Sequence, residues 1–290
     1  MPRSQDKYAE GAKFSMTGAP HGTAKADVVI LTKDSMKPSL PQTLESVYAN
    51  IPVHRLIVVD GGSKDGTVDF VSKQRDAVLL DDSEGTRATA RQKGIEMVET
   101  EFFAFVDSDV ILQDGWYAAA MRWFSEDTGG VSTFPYQMGD ERDTQLAIAR
   151  LYRLRSVSDL ALRKRFDTAA AVFRTVAVRG IRIPKELQAG EDEYIGRAIE
   201  GRGFRAVVVP RPVVYHQRTE PQTDNPITRG RLLRRQGWRS AKYMARQFLL
   251  SVPEGAFIWL YTGNFKAGRN RVRYSALALA GYLTAPRPYG

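Results

Sequence analysis

Ile57-Val58-Val59-Asp60-Gly61-Gly62-Ser63-Lys64-Asp65-Gly66-Thr67 is the stretch that decides the fold. An unbroken aliphatic run of this length, stopped by an acid and a cluster of Gly and Ser, reads as a strand buried on both faces that ends in a turn. Its neighbours repeat the theme. Residues 26–31, 77–80 and 102–106 are short apolar runs of the same kind. Residues 38–50, 67–74 and 86–99 lie between them with helical spacing and few breakers. Strands alternating with helices predict βαβ units and an α/β fold with a doubly wound, mostly parallel sheet, helices on both faces.

Each of these strands runs into a polar or acidic end: Thr32-Lys33-Asp34, Asp60, Asp81-Asp82 and Asp107-Ser108-Asp109. One such acid means little, because Asp is a common turn and helix-cap residue. Four in register are a cluster, and ligands of open α/β sheets bind beyond the carboxyl ends of the strands. Asp107 and Asp109 form a D-x-D pair. Two carboxylates there suit Mg²⁺ or Mn²⁺, whose remaining ligands would be diphosphate oxygens. Such a cation neutralises a departing nucleoside diphosphate. Further on, Gly190-Glu191-Asp192-Glu193 opens a helical segment to about residue 201, residues 206–209 read as a strand, and Val213-Val214-Tyr215-His216 closes the region.

Taken in order, residues 26–34, 57–67 and 107–109, the segment 85–94 with Arg87, Ala90 and Arg91, the Gly190-Glu191-Asp192 motif and the segment 213–216 resemble the inverting GT-A glycosyltransferases of family 2. The resemblance covers about residues 26–218. It implies a nucleotide-sugar donor and a divalent cation, Mn²⁺ or Mg²⁺. It places Thr32, Asp34 and Asp60 in the nucleotide pocket and Arg87 and Arg91 near base or diphosphate. It makes Asp107 a ribose or metal ligand, Asp109 the main metal ligand and His216 a further one. Asp192 becomes the general base for an acceptor hydroxyl, with Glu191 supporting it, and a helix start is expected to keep Asp192 ionised. Two departures stand out: Lys33 replaces the aromatic residue common after the first strand, and Gly61 stands where a second acid is frequent. Gln236 and Trp238 do not have the Q-x-x-R-W spacing of processive members.

Charge is unevenly spread. Residues 202–290 carry 16 Lys and Arg against 3 Asp and Glu, whereas residues 1–201 carry 26 against 30. A basic end with apolar runs at residues 248–263 and 274–286, too short or interrupted to span a bilayer, predicts helices lying on a membrane surface. The basic amphipathic stretch 144–165 reads as one helical region, either interfacial or packed on the domain. The expected organisation is a flexible leader (1–25), a catalytic domain (26–218) and a basic helical membrane-associated region (219–290). The leader has no signal-peptide pattern, so the site is expected at the cytoplasmic face. The membrane-docked end points to a lipid-linked or polyprenyl-phosphate acceptor, with mannose from GDP-mannose as the donor guess. No nucleic-acid partner is expected.

With no cysteine, disulfides and thiolate metal sites are excluded, so a metal must take oxygen or imidazole ligands. Two other classes remain to be weighed. A nucleotidyltransferase wants a Gly-rich, basic loop after the first strand, which residues 33–41 lack. A non-catalytic membrane or nucleic-acid binder would use the basic end alone, and its binding would fall with salt without needing a divalent cation.

Overall fold

The computed structural model describes residues 24–37, 39–163, 166–185, 187, 189–217 and 226–286. Strands β1 (Ala26–Thr32), β2 (Val53–Asp60), β3 (Ala77–Asp81) and β4 (Phe102–Val106) form the expected half-sheet, with helices α1 (Leu40–Asn50), α2 (Thr67–Val71) and α3 (Arg87–Met97) as crossovers. The chain continues through β5 (Val110–Leu112), α4 (Trp116–Met121), β6 (Thr128–Tyr136), α5 (Gly139–Leu151), β7 (Ala170–Arg174), α6 (Thr175–Val178), α7 (Glu191–Gly201) and β8 (Arg205–His216). All eight strands join one sheet in the order β3-β2-β1-β4-β7-β6-β8-β5. The pairs β1/β2, β2/β3, β1/β4 and β6/β8 are parallel, while β7 runs antiparallel between β4 and β6 and β5 antiparallel to β8. Only β7 and β5 oppose the common direction, which is the mostly parallel sheet of a GT-A fold.

Period-two alternation splits the core cleanly. Phe102, Ala104 and Val106 of β4 face one side, against Leu40, Leu44 and Val47 of α1 and Trp116 and Tyr117 of α4. Phe103 and Phe105 face the other, against Ala88 and Ile95 of α3 and Ile195 and Ile199 of α7. Phe103 stacks on Phe173 of β7 at 5.1 Å and meets Phe105 edge-on at 5.4 Å. Burying each such ring stabilises the sheet by about 1.5–3 kcal/mol, and the cluster fixes where β4 ends and the D-x-D begins.

Several expectations need correction. The irregular stretch after residue 116 holds β6 and β7, which insert between β4 and β8. Residues 144–165 are not one helix. Helix α5 stops at Leu151, Arg153 takes a positive φ of 52°, and a 3-10 turn (Val157–Arg163) follows. A left-handed residue of that kind breaks helical hydrogen bonding. The separate strands read at 206–209 and 213–216 are one strand, β8, whose register shifts between Thr133 and Phe134 of its partner β6. The leader falls almost wholly outside the described residues, as do residues 218–225 with the 218/219 boundary.

Three helices follow: α8 (Pro226–Arg235), α9 (Ala241–Thr262) and α10 (Phe265–Thr284). They dock on the catalytic domain. Glu254, buried in α9, accepts from the Arg271 guanidinium at 2.8 and 2.6 Å and from Tyr152 Oη at 2.7 Å. Asn264 caps α10 and donates to Asp140 and Asp143 of α5 at 3.0 and 2.8 Å. Helices α9 and α10 cross where Gly255 meets Gly268, and a Cβ on either would collide with the other's backbone. No helix among the described residues is long and apolar enough to cross a membrane.

Candidate active site

A cavity of about 460 Å³ opens beyond the carboxyl ends of β1, β2 and β4. Thr32, Arg87, Arg91, Asp107, Asp109, Glu191, Asp192 and His216, eight of the ten residues singled out from sequence, line it.

The acid pair is placed by register. The β4 strand ends at Val106, Asp107 keeps one more ladder bond (its amide to Ala169 O, 2.8 Å), and a turn from Asp107 O to the Val110 amide swings the chain into β5. There Val110 pairs with His216 at the end of β8, and the Gln217 amide donates to Asp109 O at 2.7 Å. Residues more than a hundred positions apart are thereby side by side. One ligand atom each of Asp107, Asp109 and His216 lies within 4.8 Å of the others.

This trio fits a divalent cation on two counts. Two carboxylates and one imidazole form an O,O,N donor set, in which the imidazole leans toward Mn²⁺ over Mg²⁺. The two contacts of the imidazole also fit. His216 Nδ1 lies 3.0 Å from Gln137 Oε1 and Nε2 lies 2.9 Å from Asp109 Oδ1; with the ring proton on Nδ1, the Nε2 lone pair faces the carboxylate. Two acceptors that close repel unless a proton or a cation sits between them, and an outer partner on Nδ1 is how metal-binding imidazoles are oriented.

Arg91 is the second element. It is 4% exposed, its guanidinium lies 4.6 Å over the Phe105 ring, and Nη2 donates to Asp107 Oδ1 at 2.9 Å. Its Nε and Nη1 are buried with no protein partner. Both nitrogens are closed off from solvent, so at the cavity wall Arg91 acts through its fixed positive charge, held in place by Asp107 and the Phe105 ring face. Arg87 opens α3, whose N-terminus is closed by the Thr86/Thr89 capping box.

The third element is the acidic wall at α7. Gly190 takes a φ of 82° before the helix, and a Cβ there would come within 2.8 Å of Leu232 on α8. Glu193 is anchored by Arg197, Arg229 and Arg239 at 3.1, 3.4 and 3.4 Å. Asp192 has no such company. Burial pushes its carboxyl up, Glu191 adds to the rise, Arg229 offsets part of it and Asp167 adds again, for a pKa of about 7. The expectation of an ionised Asp192 at a helix start is therefore corrected: desolvation and neighbouring carboxylates outweigh the dipole.

Asp34 and Asp60 turn toward the loop beside the cavity. Neither lines the cavity. Asp60 Oδ1 accepts from the hydroxyls of Thr32 (2.7 Å) and Ser63 (2.5 Å), and Oδ2 from the amides of Gly62 (2.9 Å) and Ser63 (2.8 Å). Burial raises its pKa, but these donors outweigh that and hold it below the usual carboxylate range. Asp34 Oδ1 accepts from the Lys64 amide at 2.7 Å. Both carboxylates tie the loop after β2 to the end of β1, leaving Lys33 and Gly61 on the cavity side. Sequence reasoning also missed Asp82, Gln137 and Asp167 as lining residues. Asp82 was visible as a strand-end acid, and in the fold it pairs with Lys93 at 2.7 Å. Gln137 and Asp167 flank β6 and β7, the strands the sequence hid.

With this geometry in place, comparison with known proteins is informative. A family model described as glycosyl transferase family 2 matches residues 27–182. A curated protein of Mycobacterium tuberculosis, the pre-mycofactocin glycosyltransferase, is 29% identical over 213 residues, 68% of this chain and 44% of its own. The chain thus spans less than half the length of the curated relatives it matches. Among solved structures, a mannosyltransferase from Pyrobaculum calidifontis in complex with GDP-Man and Mn²⁺ has a TM-score of 0.55 at 19% identity, covering 94% of this chain and 80% of that one. S. aureus TarS 1-349 in complex with UDP-GlcNAc has a TM-score of 0.55 at 17% identity, covering 89% of each chain. At these identities the likeness is one of fold.

Proposed function

The chain belongs to glycosyl transferase family 2, and from that premise we propose that it moves a hexose, with inversion, from a nucleotide-sugar to a hydroxyl of a lipid-linked or polyprenyl-carried acceptor at the cytoplasmic face of a membrane. The proposed donor is GDP-mannose, the ligand held with Mn²⁺ by the Pyrobaculum calidifontis neighbour.

The observation that carries the reading is one cavity with two chemically distinct walls. On one wall stand Asp107, Asp109 and His216 together with the positive charge of Arg91. On the other stands Asp192, a carboxyl poised near neutrality. When bound by Asp107, Asp109 and His216, a divalent cation supplies Lewis-acid neutralisation of the diphosphate. Arg91 and Arg87 orient the donor and meet the charge that grows on the leaving diphosphate. Asp192 takes the acceptor proton as the acceptor oxygen bonds to the anomeric carbon and the bond to the nucleoside diphosphate breaks. Glu191 and Asp167 keep the Asp192 pKa close to working pH, where a general base is most effective. Asp60 and Asp34 act at one remove, holding the loop that frames the nucleotide end.

The test is release of nucleoside diphosphate from a panel of GDP- and UDP-sugars with Mn²⁺ or Mg²⁺, with Asp109→Ala measured beside the wild type. Metal-dependent turnover of GDP-mannose, lost in the variant, is expected. Turnover of a UDP-sugar instead moves the donor assignment. Silence on every donor, with lipid extract present as acceptor, rejects the reaction.

A further inference from the structure

Helix α9 presents one face to the domain and another to solvent. Met244, Ser251, Glu254, Gly255 and Ile258 turn inward. Leu249 is 67% exposed and Leu260 76%, with Val252, Trp259 and Tyr261 exposed beside them and Phe265 following at the start of α10. Lys242, Arg246, Leu249, Pro253, Ala256 and Leu260 recur at alternating spacings of four and three, so they form one stripe along the helix. The stripe is basic in its first turns and apolar for the rest. Glu254, the only charged residue of α9 after Arg246, is buried against Arg271 and Tyr152 and takes no part in it.

We infer that this α9 ridge docks in the interfacial layer of an anionic lipid bilayer. Charge selects that occupant. Described residues 226–286 hold eleven Lys and Arg and one acid, the inward-facing Glu254, so cations predominate around the ridge; Asp140 and Asp143 of α5 come near only at its Asn264–Lys266 end, where they are engaged by Asn264 and Lys266. Exposed Arg246 at the ridge's end and Arg269 and Arg273 on α10 supply partners for anionic headgroups. Apolar side chains with Trp and Tyr at the margin and Arg around them match an amphipathic helix lying in the plane of the interface. The ridge is also tied to the acceptor end of the cavity. Helix α10 carries α8 through Tyr282, whose carbonyl accepts from Arg234, and α8 in turn sets Leu232 against Gly190 and Arg229 against Glu193. A docked ridge therefore holds the α7 acids against the membrane-borne substrate. This role for the bilayer rests on the proposed reaction; the docking itself does not.

The test is co-sedimentation of the full chain with phosphatidylcholine vesicles, with and without phosphatidylglycerol, for wild type and Leu249→Glu/Leu260→Glu. Both sites are exposed, so the circular dichroism melt should be unchanged. Wild type should bind the anionic vesicles, more weakly as salt rises, and the variant's partition coefficient should fall by roughly tenfold or more. Equal binding by variant and wild type overturns the proposal, as does failure of wild type to bind either vesicle. A wild-type dimer that the variant converts to monomer, with no vesicle binding, also overturns it and makes the ridge a self-association face. Donor hydrolysis in vesicle-free buffer is scored separately: its loss in both proteins rejects the reaction and leaves docking to be judged by sedimentation alone.

Discussion

Two carboxylates at opposite ends of the parallel strands, Asp27 fully buried and Asp192 half-buried at the cavity wall, receive contrary treatment. Asp27, at the start of β1, is fully buried and fully paired: Arg55 at 3.1 Å, His54 at 2.9 Å and the Glu99 amide at 2.7 Å all point at it. Burial raises its pKa, but Arg55, the Glu99 amide and His54 outweigh that and lower it. Asp192, beyond the carboxyl ends, is desolvated near Glu191 and Asp167, with Arg229 and the Glu193 amide offsetting only part of the rise, and its pKa reaches about 7. Desolvation raises both pKa values. What differs is whether the protein satisfies the charge. A satisfied buried charge holds the chain together, and a strained one is free to do chemistry.

Swapping the two acids' fates is the strongest way to break this contrast. Asp192→Asn should cost about 10²–10⁴-fold in kcat, the usual share of a general base, while leaving the melting temperature level or higher. Asp27→Ala should do the reverse. It strands Arg55 and the Glu99 amide, costing about 3 kcal/mol, toward the low end for a broken buried pair because Arg55 keeps some contact with water. Turnover per folded molecule should stay the same. Urea melts and donor turnover on both proteins decide it; an Asp192→Asn variant that unfolds like Asp27→Ala would erase the distinction.

Arg91 sharpens the same point from the cationic side. Arg91→Lys keeps the charge but loses the planar fork stacked on Phe105 and bonded to Asp107. We expect kcat/KM to drop by about 10²-fold, comparable to losing one preorganised donor. A variant within twofold of wild type would mean that Arg91 is an interior brace only.

The pH dependence follows from the sign of the Asp192 shift. Its folded pKa, about 7, lies above the ordinary 3.8, so the folded state holds a proton that the unfolded chain has released. This contribution to stability therefore declines as pH rises from about 4 to 7 and then levels off. Activity runs the other way, because the base works only when ionised. The rate should climb about tenfold per pH unit up to about 7 and then flatten. Asp192→Asn should flatten the stability profile in that window, and a slope that survives the substitution would assign the titration to another group.

Much of the site was legible because the βαβ half of the fold writes itself in apolar runs closed by polar turns. Strand β4 is five consecutive apolar residues, and Asp107 and Asp109 follow at once. The antiparallel insertion left no such record. Strand β5 has only three residues, β6 carries Gly129, Gly130 and Pro135, and β7 begins with two alanines. Tertiary pairing rather than propensity makes them strands. Asp167 and Gln137 owe their places to those strands, so they could not be read ahead of the fold. Asp34 and Asp60 make a related point: a strand-end acid faces either the ligand or its own loop, and only the donors around it decide which.

Lys33 offers the smallest effect and the finest test of how the pocket is built. It occupies the place where family 2 resemblance leads one to expect an aromatic ring. Its Cβ and Cδ lie 3.5 Å from where a Gly61 side chain would begin. The stem thus covers the Gly61 backbone, while the ammonium remains in water. Lys33→Ala should raise the donor KM by about two- to fivefold with kcat unchanged, as expected when a weak contact common to ground and transition states is lost. Lys33→Tyr should return KM to the wild-type value or below it, because a ring covers the same backbone and adds a face for the base. If Tyr behaves like Ala, the ammonium and not the stem is what the donor meets. Lys33 would then belong with Arg91 on the diphosphate side of the cavity.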